Sequence, residues 1–281
     1  MAEKEYFEEI RNYQKQLDQQ LRTPDGWLTL VGLHWLNEGE NKVGADPECE
    51  VSLPEGVCPA LVGKLTKTEN KVTFTPEDGV DVTTGEQPRK SEIELESDLN
   101  QNQTVISIGT VSFYLVIRGD RFGIRVKQEN SPNRLNFEGR VWWPIDEARR
   151  VTAVIEYYDP QKMVDVPDIL GNVTKTAMDC VLKFQIDGHK YSLDAFGLPS
   201  GQFYILFQDI SCQNGSYPAG RFLVTEYPED ESVVIDFNKA HNPPCAFTAY
   251  ATCPLPPKQN HLSVVIQAGE RYKPFPRYDH H

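Results

Sequence analysis

Long apolar runs are missing from this 281-residue chain. No stretch approaches the roughly 20 consecutive apolar residues that a helix needs to cross a bilayer. The N-terminus, MAEKEYFEEIRNYQKQ, lacks the apolar core of a secretory signal and is too acidic for a transit peptide, so a cytoplasmic location is expected. Positive charge is scarce as well: 28 Lys and Arg stand against 41 Asp and Glu, a net charge of −13. Such a chain repels phosphate backbones and anionic lipid surfaces, so neither nucleic acid nor a membrane is expected as a partner. A local basic cluster can still hold a small anion. Six cysteines are few for this length and read as free thiols rather than a disulfide framework. There is no internal repeat, no low-complexity segment and no Gly-x-Ser-x-Gly elbow, which removes the α/β-hydrolase type of serine chemistry. The oligomeric state is open.

What is present is mostly β in character. One helix opens the chain, because Tyr6, Ile10, Tyr13, Leu17 and Leu21 recur every three or four residues and form one stripe. Thr23-Pro24-Asp25-Gly26 breaks it. The apolar segment Trp27 to Leu36 fits either a buried strand or a helical turn. Short β-type runs separated by turn residues then follow at regular spacing up to about Gln128, the pattern of a β-sandwich. A second β-rich block begins near Phe137, with Asp187-Gly188 as a two-residue hairpin turn. Its strands are expected to include 246–250 and 262–267. The expected organisation is therefore all-β: an N-terminal helix and apolar segment (1–36), a β-sandwich unit (37–129) and a second sandwich or barrel (137–281), with Asn130–Asn136 as linker.

The first block carries Gly39-x-x-x-Val43-Gly44-x-Asp46-x-x-x-x-Val51-x-Leu53-Pro54 and a later Gly109-x-x-x-Phe113. In this it resembles a forkhead-associated domain. That resemblance implies a β-sandwich fold and a phosphothreonine site made by an Arg directly after the glycine and a later Ser and His. Here Ala45 follows Gly44, and Glu55–Leu61 holds neither Ser nor His. The charge-assisted contacts that grip phosphate are missing, so phosphopeptide binding is not expected.

The densest signal is DFNKAHNPPCAFTAYATCPLPPKQN, residues 236–260. Pro, Asn and Asp concentrated in one segment indicate a shaped loop, and shaped loops commonly carry sites. Together with LRTPDGWLTLVGLHWL (21–36), FGIRVKQENSPNR (122–134), GRVWWP (139–144) and YPAGRFL (217–223), it resembles the family catalogued as domain of unknown function 1684. The resemblance implies no activity, and it departs at His241, where the family pattern carries Tyr.

Three chemistries are open to these residues. A zinc site would use His241, Cys245, Cys253 and His261, but compact zinc modules pair cysteines two to four residues apart. No metal and no cofactor is therefore expected. A thiolate–imidazole pair of Cys245 with His241 or His34 is the second, and no oxyanion hole accompanies it. The third is a polar pocket for a small anionic ligand. In it Asp236 and Asn238 would be the catalytic pair, Asp236 as general base or water-orienting group, and Arg125, Arg134, Arg221 and Asn242 would bind the ligand. On this reading Arg125 or Arg221 lowers the pKa of Asp236. Two functions follow: a hydrolase-like small-molecule site in the C-terminal unit, or a non-catalytic binding or scaffold protein whose Pro-rich loop is structural.

Overall fold

The computed structural model describes residues 2–85, 87–89 and 91–274. The chain divides into two compact units. One comprises Leu21–Phe137; the other joins the N-terminal helix, up to Gln20, with the chain from Glu138 onwards. The helix that the sequence places ahead of both units thus belongs to the C-terminal one.

Helix α1 spans Ala2–Leu21. Its stripe buries Ile10, Leu17 and Leu21, while Tyr6 and Tyr13 stay half-buried with their hydroxyls engaged in polar contacts. The helix stops just before Thr23, because Pro24 disfavours helical backbone in the residue it follows.

The Leu21–Phe137 unit holds β1 (Leu30–Trp35), β2 (Gly39–Gly44), β3 (Val51–Ser52), β4 (Gly63–Thr68), β5 (Lys71–Pro76), β6 (Val82–Thr84) and β7 (Gln87–Arg89). It continues with β8 (Ile93–Glu94), β9 (Val105–Ile108), β10 (Val111–Arg118) and β11 (Arg121–Gln128). They form a six-stranded sheet, β1-β11-β10-β9-β6-β7, and a five-stranded sheet, β3-β2-β4-β5-β8. Alternate residues such as Leu65, Phe74, Ile106, Phe113 and Val126 form one buried cluster, with the Phe74 and Phe113 rings edge to face at 5.2 Å. Trp27–Leu36 resolves into a single 3-10 turn, Trp27–Thr29, followed by β1. The segment expected to be a linker is built in: Ser131 caps the short helix α2 (Pro132–Leu135) and its hydroxyl donates to the Leu28 carbonyl at 2.6 Å.

The C-terminal unit carries β12 (Val141–Trp142), β13 (Arg150–Pro167), β14 (Val173–Ile186), β15 (His189–Gly197), β16 (Phe203–Phe207), β17 (Arg221–Val224), β18 (Ser232–Asp236) and β19 (Glu270–Arg271). Six of them form one antiparallel sheet, β17-β16-β15-β14-β13-β18, while β12 pairs with β19. Asp187 and Gly188 both have positive φ, 51° and 78°, and close the β14–β15 hairpin with the mirror-image turn that strand twist favours. The core joins Leu182, Leu193, Ile205, Leu223 and Ile235 to Phe237.

Two expected strands are absent. Residues 244–246 form a 3-10 turn, and the N–H groups of Ala246, Phe247 and Thr248 turn back onto the Pro243 and Pro244 carbonyls instead of entering a ladder. The segment 262–267 has no ladder either: Leu262 and Val264 pair with the backbone of Gln208 and Ile210, and from Ile266 onwards side chains take over. The Ile266 N–H donates to Asp209 at 2.8 Å, and the carbonyls of Ile266 and Ala268 accept from Arg221. Arg221 and Asp209, both with fully buried side chains and 2.6 Å apart, thus hold the backbone at Ile266 and Ala268. No described helix is long and apolar enough to cross a membrane.

Candidate functional site

Strand β18 ends at Asp236, and the chain turns at once into a 3-10 helix, Phe237–Lys239. Asp236 caps that turn by accepting the Asn238 N–H at 3.0 Å. The Asn238 side chain holds the approaching 146 backbone at both ends: its Nδ2 donates to the Asp146 carbonyl (2.8 Å) and its Oδ1 accepts the Asp146 N–H (2.9 Å). From α1, the Tyr6 hydroxyl lies 3.0 and 3.1 Å from the two Asp236 oxygens and accepts from Asn238 Nδ2 at 2.9 Å. Burial pushes the Asp236 carboxyl up, against the pull of Asn238, Tyr6 and Lys239. Burial and the Asp236 charge push the Tyr6 phenol up in turn.

The next residues meet the same helix one to two turns on. Lys239 pairs with Glu9 at 2.7 Å. The Tyr13 hydroxyl donates to the Lys239 carbonyl at 3.0 Å and lies 3.3 Å from His241 Nδ1. Beyond them is a buried carboxylate, Glu270, only 1% exposed. Its Oε2 accepts from the Asn242 N–H at 2.8 Å and from the Arg140 guanidinium. Gly269 makes this docking possible: at φ 76°, a Cβ there would sit 2.4 Å from the Ala240 carbonyl oxygen, to which the Glu270 N–H donates at 2.8 Å. Burial pushes Glu270 up to about 7 even though Arg140 and the Asn242 N–H oppose it. Burial and Arg140 together hold His241 down to about 4, so its ring is neutral.

Two atoms of this centre are buried and have no hydrogen-bond partner among the described residues: the donor Arg140 Nε and the acceptor Asn242 Oδ1. The Arg140 Nε stands 3.9 Å from Asp18, whose carboxylate takes the Arg140 backbone N–H at 3.0 Å. Asn242 Nδ2 is used, donating to the Arg271 carbonyl at 3.1 Å.

The six residues singled out in sequence therefore separate. Asp236 and Asn238 meet, and Asn242 lies at the adjoining Glu270 centre. Arg221 has Asp209 as its carboxylate partner. The cations beside Asp236 are Lys239 and Arg150, its cross-strand neighbour, and burial moves its pKa upward, opposite to the expected direction. Arg125 and Arg134 are fixed inside the other unit. The Arg125 guanidinium lies 5.6 Å from the Trp27 ring and 6.0 Å from the Tyr114 ring, and Arg134 donates to the carbonyls of Arg22 and Glu129. Sequence reasoning missed Glu270, Arg140 and the two tyrosine hydroxyls. Tyr6 and Tyr13, seven apart, already share a helix face in the sequence, and Arg140 stands in the GRVWWP stretch. The cysteines stay within the loop, with the Cys245 N–H 3.3 Å from Cys253 Sγ. Among the described residues no cluster of three His, Cys, Asp or Glu is placed to hold a metal.

Fold and centre define a two-unit, mostly antiparallel β protein, its second unit enclosing a polar centre against an N-terminal helix. Residues 135–271 match the family model described as "Protein of unknown function (DUF1684)", a span that includes Arg140, Asp236, Asn238, Asn242 and Glu270. No curated protein matches. Among solved structures, an uncharacterized protein of Haloarcula marismortui determined by solution NMR is 28% identical, with 49% of this chain and 78% of that chain covered and a TM-score of 0.41. A structure from an analysis of phosphothreonine-dependent FHA domain interactions is 17% identical, with 36% and 97% covered and a TM-score of 0.24.

Proposed function

We propose that the C-terminal unit binds a small acid at the Arg140–Glu270–Asn242 centre, with Tyr13 and His241 on its wall. The observation that carries this reading is the pair of buried atoms of opposite sense, Arg140 Nε and Asn242 Oδ1, neither with a hydrogen-bond partner among the described residues. Their residues already converge on one Glu270 oxygen. An unmet buried donor or acceptor costs about 1–3 kcal/mol, so an occupant that meets both is favoured. The matching chemistry is a carboxylate or phosphate that also carries a hydroxyl, an amine or an acidic proton. Asp236 and Asn238 frame the centre. In any hydrolytic step Glu270 is the better base at neutral pH, because a carboxyl near 7 both takes and returns a proton.

The scaffold reading has its own observation: Asp236 and Asn238 have their hydrogen-bonding groups met inside the protein, and Arg221 is held by Asp209. One experiment separates the two. Melting temperatures are measured with 2-hydroxy acids, amino acids and inorganic phosphate, for wild type, Arg140→Gln and Asn242→Leu. A saturable rise in wild type, weakened about tenfold or more in both variants, supports the site; about 1.4 kcal/mol of lost contact is enough for that. No rise with any member of the panel leaves the scaffold reading.

A further inference from the structure

The Leu21–Phe137 unit has a cavity of about 390 Å³ on the outer face of its six-stranded sheet. That face is set by strand alternation. Ile106, Phe113 and Val126 point into the sandwich core, so their neighbours Ser107, Ser112 and Lys127 point out. Those three are register partners across β9, β10 and β11, which aligns hydroxyl, hydroxyl and ammonium in one row. Tyr114 stands in the next row, with the Lys127 ammonium 5.4 Å from its ring centre. The ammonium is anchored by the Asp25 carbonyl at 2.6 Å. Gln103 closes one side, and its Nε2 is buried without a hydrogen-bond partner among the described residues.

The charge inventory decides the ligand class. Asp25 and Glu129 face Lys127 on a chain of net charge −13, and the Arg125 guanidinium, on the same sheet face 6.0 Å from the Tyr114 ring, brings the local charges near balance. An anion entering here meets the Asp25 and Glu129 carboxylates, and an organic cation meets the Lys127 ammonium. A neutral molecule bearing several hydroxyls meets neither. Each hydroxyl both donates and accepts. It can therefore give to Asp25 or Glu129, take from Gln103 Nε2 or Lys127, and exchange with Ser107 and Ser112. Its C–H face has Val105 and Tyr114 to lie against. The volume falls within the range of small-molecule sites.

We infer that this cavity binds a neutral polyhydroxylated ligand of monosaccharide size. The site lies in the unit that does not carry the small-acid centre, and it stands or falls independently of that reading. The test is saturation-transfer NMR on the full chain with millimolar glucose, galactose, mannose and inositol, and separately with inorganic phosphate. The expected result is saturable transfer from at least one neutral polyol, with binding about tenfold weaker in Gln103→Leu and in Ser112→Ala. Gln103 Nε2 makes no hydrogen bond among the described residues, so its loss is expected to leave the melting temperature unchanged, and a fall in binding is then not a folding effect. Absence of transfer from every polyol overturns the inference. So does binding that is indifferent to both substitutions, or transfer to phosphate alone.

Discussion

Glu270 and His241 shift in opposite directions, and their effects on stability oppose each other. Glu270 rises from 4.5 to about 7, so the folded state holds its proton more tightly than the unfolded chain. Its contribution is full below pH 4.5 and lost as pH rises to about 7, a change of about 3 kcal/mol. His241 falls from 6.5 to about 4, so its contribution is full above pH 6.5 and lost as pH falls towards 4. Between those limits the two slopes offset one another. Single substitutions expose them. In urea unfolding across pH, Glu270→Gln is expected to lose stability steadily as pH falls from 6.5 to 4. His241→Gln is expected to lose it as pH rises from 4.5 to 7, with the raised Asp236 adding to that limb. If both variants track the wild-type curve, the two groups are not buried as described.

At the scale of elements, α1 is tied to the polar segment by Tyr6, Glu9 and Tyr13, and to the Arg140 backbone by Asp18. Each tyrosine hydroxyl contributes about 1 kcal/mol. Tyr6→Phe and Tyr13→Phe are therefore expected to speed amide exchange in α1 about five- to tenfold, with β14 and β15 unchanged. Equal acceleration in those strands would show that helix and sheet open as one unit. The helix itself was legible in the sequence, because its stripe has period 3.6 and its end is marked by Pro24. So was most of the strand content, since period-2 alternation and Asp187-Gly188 are local signals. What the helix binds was not legible: Tyr6 and Asp236 are 230 positions apart, and nothing local records that a phenol in an apolar stripe uses its hydroxyl. Arg221 was misplaced for the same reason. A charged residue in a strand indicates a partner but not which one, and Asp209, not Asp236, is within reach. The strands expected at 246–250 and 262–267 failed because a β-type composition says nothing about where backbone groups find partners. At 246–248 the N–H groups turn back onto the Pro243 and Pro244 carbonyls, and at Ile266 a buried ion pair takes the backbone groups.

Over the whole molecule, acidity sets the terms of binding. A chain of net charge −13 draws an acid in only where a cation stands ready, and on the proposed reading Arg140, whose side chain is 6% exposed, is that cation in the C-terminal unit. An acid placed beside Arg140 shares the guanidinium with Glu270 and adds negative charge near it, which favours the protonated carboxyl. Binding near pH 7 is then coupled to proton uptake. Isothermal titration of the best small acid from the melting panel, run at pH 7 in two buffers of different ionisation enthalpy, reads this coupling. The account predicts net uptake of a fraction of a proton on binding, abolished in Glu270→Gln, and an affinity that falls as pH rises above 7. Binding without proton uptake, or with uptake unchanged in Glu270→Gln, would contradict it.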